Sequence, residues 1–170
     1  MRDRLITGII LAFILIPVVS IEILFELFQV MMALFVIISS HEMIRMFESK
    51  KKFQLLPKIG IVLLTLGTFF SVGGVLGNPD HNPLQANGAL SITIPLFTII
   101  LLSFLVLFRD FNGEDVGKAL TVINYVGLGA ASIVILRFLG VRFIVYLLLI
   151  TSATDIFAYI FGMKFGKHKL

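Results

Sequence analysis

Hydrophobic residues in this chain do not alternate with polar ones at the period of a strand or of a soluble amphipathic helix. They run in long blocks, and the polar residues collect in short clusters between the blocks. Apolar blocks of about 18 or more residues predict membrane-spanning helices, because a helix satisfies its own backbone donors and acceptors in lipid and about 20 residues cross the hydrocarbon. The blocks predict six spans, at about 5–21, 27–44, 59–76, 89–108, 119–136 and 143–162. The first two read as a hairpin whose connecting turn holds Glu22 and Glu26. Turn chemistry separates later spans, as in "GNPDHNP" (77–83) and "RDFNGED" (109–115). Pro95 falls inside the fourth span, which helices in lipid tolerate where neighbours satisfy the freed carbonyl. The fold class is therefore an all-α, polytopic transmembrane helix bundle, with residues 1–170 as a single transmembrane domain.

Composition sharpens this reading. Hydrophobic residues make up 58% of the chain and charged residues only 14%, far from the balance of a soluble globular domain. The opening "MRDRLITGIILAFILIPVV" has the basic start and apolar core of a signal peptide. Its apolar run is long for that role, no small-x-small cleavage site follows, and Glu22 arrives directly, so a retained first helix is expected. The absence of cysteine excludes disulfides, thiolate metal sites and a cysteine nucleophile.

Charge placement sets the orientation. With the N-terminus inside, one side collects Arg2, Arg4, Arg45, Lys50, Lys51, Lys52, Lys58, Arg109, Lys118, Lys164, Lys167 and Lys169, against Arg137 and Arg142 on the other. That bias predicts N-in and C-in, which an odd number of spans would spoil. The turn "RFLGVR" (137–142) is the one discordant loop. The net charge of +4 is explained by these flanking clusters, so no nucleic-acid partner is expected. The loop "ESKKKFQLLPK" (48–58) reads as a cytoplasmic anchor that meets anionic headgroups.

One acid does not fit a plain span. Asp155 lies inside the last apolar block, where a charged Asp costs about 2.5–3.5 kcal/mol on insertion scales and is kept mainly where it binds, pairs or relays something. At 100° per residue, Ser152, Asp155, Tyr159, Gly162 and Gly166 fall within an arc of about 80°. Such a stripe faces protein or water. Lys164, Lys167, His168 and Lys169 follow the span on the cytoplasmic side. A carboxylate offering hard oxygen for Mg²⁺, next to ammonium groups that neutralise phosphate oxygens, suits phosphoryl-group chemistry at a membrane surface. Structural alternatives stand beside this. Asp155 could bond Asn124 or Thr151 as interhelix glue, the lysines could simply obey the positive-inside rule, and "GMKFG" also matches small-xxx-small helix packing.

Other candidates are weaker. His41, Glu42 and Arg45 end the second span, and Glu42 with Arg45 are spaced for a local ion pair. His41, His81 and His168 fall on different sides or elements and do not form a metal site. No phosphate-binding glycine loop, nucleophile elbow or zinc-ligand spacing occurs.

The closing "TDIFAYIFGMKFGKHKL" resembles the D-x-x-A-Y-x-x-G-(x)₃-G-K-H-K-L segment of the bacterial phosphatidate cytidylyltransferase (CDP-diacylglycerol synthase) family. The opening is similar to that family's R-x-x-T-G start, and "HEMIRM" resembles the element that ends its second helix. The resemblance implies a bacterial inner-membrane enzyme of phospholipid biosynthesis that joins CTP and phosphatidate, with Mg²⁺ assisting, to give CDP-diacylglycerol and pyrophosphate. It makes Asp155 the catalytic and metal-binding residue. It makes Ser152, Tyr159, Gly162, Gly166, Lys167, His168 and Lys169 substrate-binding, with membrane lipids around the chain and a homodimer left open. After "GKHKL" the family continues with a serine-proline-lysine element and an acidic signature, so these residues are expected to be the N-terminal part of a longer enzyme. A CTP-dependent lipid kinase, a small transporter using Asp155 as a relay and a structural membrane subunit are the alternatives.

Overall fold

The computed structural model of the chain describes residues 13, 16–48, 52–74 and 87–165. Regular structure among these residues is helical: α1 (Phe25–Phe47), α2 (Leu55–Gly73), α3 (Asn87–Leu107), α4 (Gly113–Val122), a π-helical turn (Ile123–Leu128), α5 (Gly129–Leu139) and α6 (Val141–Phe165). Glu22–Phe47, Leu55–Gly73, Gly113–Leu139 and Val141–Lys164 are each long and apolar enough to cross a membrane. The 21 residues of α3 add about 31 Å of helix, which also matches the hydrocarbon thickness. The chain is an all-α membrane helix bundle. Helices thus stand at the second to sixth expected spans, whereas most of the first, 5–21, lies outside the described residues.

Two boundaries differ from expectation. Residues 16–20 are helical, Ile21 breaks the run, and Glu22–Leu24 form a single 3₁₀ turn that leads into α1. Glu26 therefore sits in the first turn of α1 rather than in a connecting loop, where its charge complements the helix N-terminus. The fifth span is longer than 119–136 and is not uniform, since the π-helical turn interrupts it between α4 and α5. Pro95 is accommodated inside α3, as expected.

The chain divides into two compact units, Met1–Ile135 and Leu136–Leu170. In the first, α2 is the hub, packing against α1, α3 and the π-helical turn. Lipid tails are as apolar as leucine, so close packing rather than burial from water must hold such helices together. Two glycines on α2 meet two aromatic rings on α3 for this purpose. A Cβ added at Gly60 would lie 2.6 Å from Cζ of Phe104, and one at Gly67 would lie 2.7 Å from Cζ of Phe97. Both pairs are seven residues apart, two helical turns, so the rings seat in successive notches of the same groove. The buried Thr65 and Thr68 satisfy their hydroxyls on their own helix, donating to the carbonyls of Ile61 (2.7 Å) and Leu64 (3.0 Å). Gln29, also buried, donates from Nε2 to the carbonyl of Gly73 at 3.4 Å, where the end of α2 leaves that acceptor free.

One end of this unit is closed by aromatic and polar contacts. Phe104 meets Phe108 and Phe111 edge-on, at centroid separations of 5.5 and 5.9 Å. These rings pack on a core that includes Ile44, Ile61, Leu101 and Ala119. Asn112 caps α4. Its side chain accepts from the Asp115 backbone at 3.0 Å while the Asp115 carboxylate accepts from the Asn112 backbone at 3.1 Å.

In the second unit, α5 ends at a turn that only glycine suits. Gly140 has φ +136° and its N–H is shared between the carbonyls of Leu136 and Arg137, both at 3.2 Å. The chain then rises directly into α6, whose 25 residues run unbroken to Phe165.

Candidate functional site

Asp155 stands in the C-terminal half of α6, in a helix whose other described residues from 151 to 164 are exposed as it is. Nothing local competes for its carboxylate. Thr151 donates to the carbonyls of Leu147 (3.0 Å) and Leu148 (3.1 Å), and Thr154 to that of Ile150 (2.7 Å). Asn124 likewise donates to the carbonyl of Leu120 at 2.9 Å. Thr151, one of the two proposed glue partners, thus spends its hydroxyl hydrogen on its own helix. Among the described residues Asp155 has no hydrogen bond or ion pair.

Ser152, Asp155, Tyr159 and Gly162 do share one helix, and α6 remains regular between them, so the narrow polar stripe exists as expected. Tyr159 is 67% exposed, and a Cβ at Gly162 would meet nothing within 4 Å. A backbone that open can be approached closely by a ligand. Gly166, Lys167, His168 and Lys169 lie outside the described residues.

The placement of Lys164 corrects the sequence reading. The helix continues past position 162, so Lys164 belongs to its last turn rather than to a segment beyond the span. Nine residues after Asp155 at 100° each, it leaves the opposite side of α6, about 14 Å further along the axis. Lys164 is therefore no part of the Asp155 stripe.

A second polar constellation, in the first unit, was not foreseen. Lys58 pairs with Glu48 at 3.0 Å, both side chains being less than one-fifth exposed, and Glu48 also accepts the Phe53 N–H at 3.2 Å. Gln54 donates from Nε2 to Asp110 Oδ2 at 2.8 Å, joining the 48–58 loop to the "RDFNGED" loop. His41, Arg45, Glu48, Lys52, Phe53 and Lys58 line an open depression beside these contacts. The loop read as a plain anchor is thus folded back on itself. The dense basic content of 41–58 was the available signal, but its pairing partners are distant in sequence. The expected Glu42–Arg45 ion pair does not form among the described residues; Arg45 instead lines that depression.

Among the described residues no group of three or more His, Asp or Glu side chains could hold a metal ion. Mg²⁺ commonly keeps several waters and takes only one or two carboxylates together with substrate phosphates. Asp155 as a single hard-oxygen ligand beside a polyphosphate fits that pattern.

Comparison with known proteins agrees with the motif. The sequence model of the cytidylyltransferase family matches residues 2–170. The chain is similar to a phosphatidate cytidylyltransferase of Staphylococcus haemolyticus (strain JCSC1435), 40% identical over 74 residues, covering 43% of this chain and 28% of the relative. It is similar to one of Staphylococcus saprophyticus, 37% identical over 90 residues, covering 52% and 33%. A Staphylococcus aureus (strain COL) protein of the same name is 39% identical over 74 residues, covering 43% and 28%. The matched segments thus span about a third or less of these relatives' own length. No solved structure matches the chain.

Proposed function

The chain belongs to the cytidylyltransferase family, and from that premise we propose that it provides the membrane-embedded part of an enzyme that transfers a cytidylyl group from CTP to phosphatidate. In that reaction a phosphate oxygen of phosphatidate attacks the α-phosphorus of CTP and a new P–O bond forms. The bond from that phosphorus to the bridging oxygen breaks, and its electron pair leaves with pyrophosphate. CDP-diacylglycerol remains in the bilayer. The lipid-kinase, transporter and structural-subunit alternatives draw no support from the family match.

The observation that carries the reading is Asp155 itself: an exposed carboxylate with its neighbours' donors turned away, ten residues or about 15 Å from the end of α6 at Phe165. From there the stripe leads toward the end of α6, the side on which a bilayer headgroup and a soluble nucleotide would meet. Asp155 would hold Mg²⁺, which when bound supplies neutralisation of phosphate charge. Ser152 and Tyr159 offer hydroxyls along the same stripe to orient a phosphate or ribose, and Gly162 lets the backbone approach. Lys167, His168 and Lys169 would gather the negative charge of the triphosphate. Such a displacement asks the protein mainly for positioning and electrostatic stabilisation.

We place the protein in the bacterial inner (cytoplasmic) membrane as a multi-pass protein with both ends toward the cytoplasm, supported by the bacterial relatives and the distribution of basic residues. The reading holds for one copy or for a homodimer. It is tested with the purified product of the whole reading frame that contains residues 1–170, given α-labelled CTP, phosphatidate and Mg²⁺. Label entering the lipid fraction as CDP-diacylglycerol is the expected result. Label appearing only as free CMP or CDP, with none in lipid, would overturn it.

A further inference from the structure

The open depression beside the α1–α2 loop carries more positive charge than its own acid can offset. His41, Arg45 and Glu48, spaced four and three residues apart, share one face at the end of α1, and Lys52, Leu55 and Lys58 are also in the lining. Glu48 is the one acid among these lining residues, and the Lys58 ammonium already engages it at 3.0 Å. Arg45 and Lys52, both exposed, remain as net positive charge, and the His41 imidazole adds an N–H donor. The first turn of α2 strengthens this field. Lys58 lies at the positive end of the helix macrodipole, where a cation has the unfavourable sign, and Gln54 makes no capping bond there because its amide reaches to Asp110 instead. Such a place suits an oxyanion.

The hollow is also held in shape. Glu48 accepts the Phe53 N–H at 3.2 Å and Gln54 bonds Asp110 at 2.8 Å, which fixes the backbone next to Lys52. A loose basic loop attracts anionic headgroups diffusely. This one borders a space of about 640 Å³, within the roughly 300–1,000 Å³ of ligand pockets. Its position selects the occupant. Arg45 is in the last turn of α1 and Leu55 in the first turn of α2, both spanning helices, so the hollow lies at headgroup level. Leu55, Ile59 and Leu63, exposed by 73%, 47% and 61%, are spaced four apart and form an apolar strip from the hollow toward the membrane interior. A soluble phosphate has no use for that strip, whereas acyl chains do. We propose that the hollow holds the phosphate of one anionic phospholipid, with Arg45 and Lys52 as its charge partners, His41 as a further donor and the acyl chains along Leu55, Ile59 and Leu63. These residues all belong to the unit Met1–Ile135 and none is in the Asp155 stripe, so the inference does not depend on the cytidylyl-transfer reading.

The test is native mass spectrometry of the purified product of the whole reading frame that contains residues 1–170, in neutral detergent, with phosphatidylglycerol or phosphatidylcholine of the same acyl chains added. One phosphatidylglycerol per chain is expected to stay bound, about tenfold better than phosphatidylcholine, whose choline cancels the phosphate charge. Arg45→Gln and Lys52→Gln should each lower that retention several-fold and together abolish the preference. Arg45→Lys, which keeps the charge, should recover most of it. Arg109→Gln makes the same charge change at an exposed loop position outside the hollow and should retain lipid as wild type does. Both hollow variants replace exposed side chains, so melting temperatures without added lipid should match wild type. Equal losses in Arg45→Gln and Arg109→Gln would mark diffuse attraction and overturn the proposal. Unchanged retention in the double variant would do the same, and so would displacement of the lipid by inorganic phosphate or CTP, which would make the hollow a site for soluble phosphates.

Discussion

Gln54 Nε2 donates to Asp110 Oδ2 at 2.8 Å, across 56 positions of sequence. The bond ties the α1–α2 loop to the α3–α4 loop, so both lie on one face of the membrane. That is what an alternating series of spans requires; these loops carry Lys50, Lys51, Lys52 and Arg109, and Lys58 follows in the first turn of α2. The positive-inside rule predicts that this shared face is the cytoplasmic one.

The chain has no cysteine, which makes this orientation directly measurable. Cysteines introduced singly at Lys52 and Asp110 should react with an impermeant thiol reagent only after the membrane is opened, whereas one at Arg142 should react in intact cells. Labelling of Lys52→Cys and Asp110→Cys from different faces would break the architecture itself.

Packing of α2 on α3 depends on glycine facing phenylalanine. Gly67→Leu should destabilise the protein by about 1–3 kcal/mol, because the added side chain must displace the Phe97 ring from its notch. Phe97→Ala in the same chain should recover much of that loss. A denaturant titration in mixed micelles reads both, and equal stability of Gly67→Leu and wild type would contradict the notch.

The cap of α4 provides a smaller, local test. Asn112→Ala removes the acceptor for the Asp115 N–H and should cost about 0.5–2 kcal/mol, while Asn112→Ser or Asn112→Asp should cost little. The same titration would show whether the three variants separate in that order.

Hydropathy made five of the described helices legible within a few residues, because a span needs only length and the near-absence of charge. It could not reveal the π-helical turn at Ile123–Leu128. Where every face of a helix is apolar, periodicity carries no register, so an extra residue per turn leaves no mark. Asp155 was legible for the opposite reason, as an acid where acids are costly. Its stripe with Ser152, Tyr159 and Gly162 followed from helical spacing alone. Lys164 was misplaced because apolarity fades before the helix ends. The contacts Gln54–Asp110 and Gly60–Phe104 join residues far apart in the chain, and nothing local in the sequence announces them.

Lys167 should act through charge on the triphosphate. In the enzyme that contains these residues, Lys167→Ala is expected to raise the KM for CTP by several-fold with a smaller change in kcat. The difference from wild type should shrink as salt screens the ammonium. A fall in kcat alone, insensitive to salt, would assign Lys167 elsewhere.

The sharpest measurement is the rate of cytidylyl transfer by Asp155→Asn, taken beside its expression and membrane insertion. Asparagine keeps the shape and hydrogen-bonding capacity of the side chain and removes the charge that would hold Mg²⁺. Turnover should fall by at least about a hundredfold with insertion unchanged, since loss of one key electrostatic contact to the reacting phosphates costs that much. Turnover within a few-fold of wild type, with Asp155→Leu instead destabilising the helix bundle, would contradict the catalytic assignment and make Asp155 a packing residue.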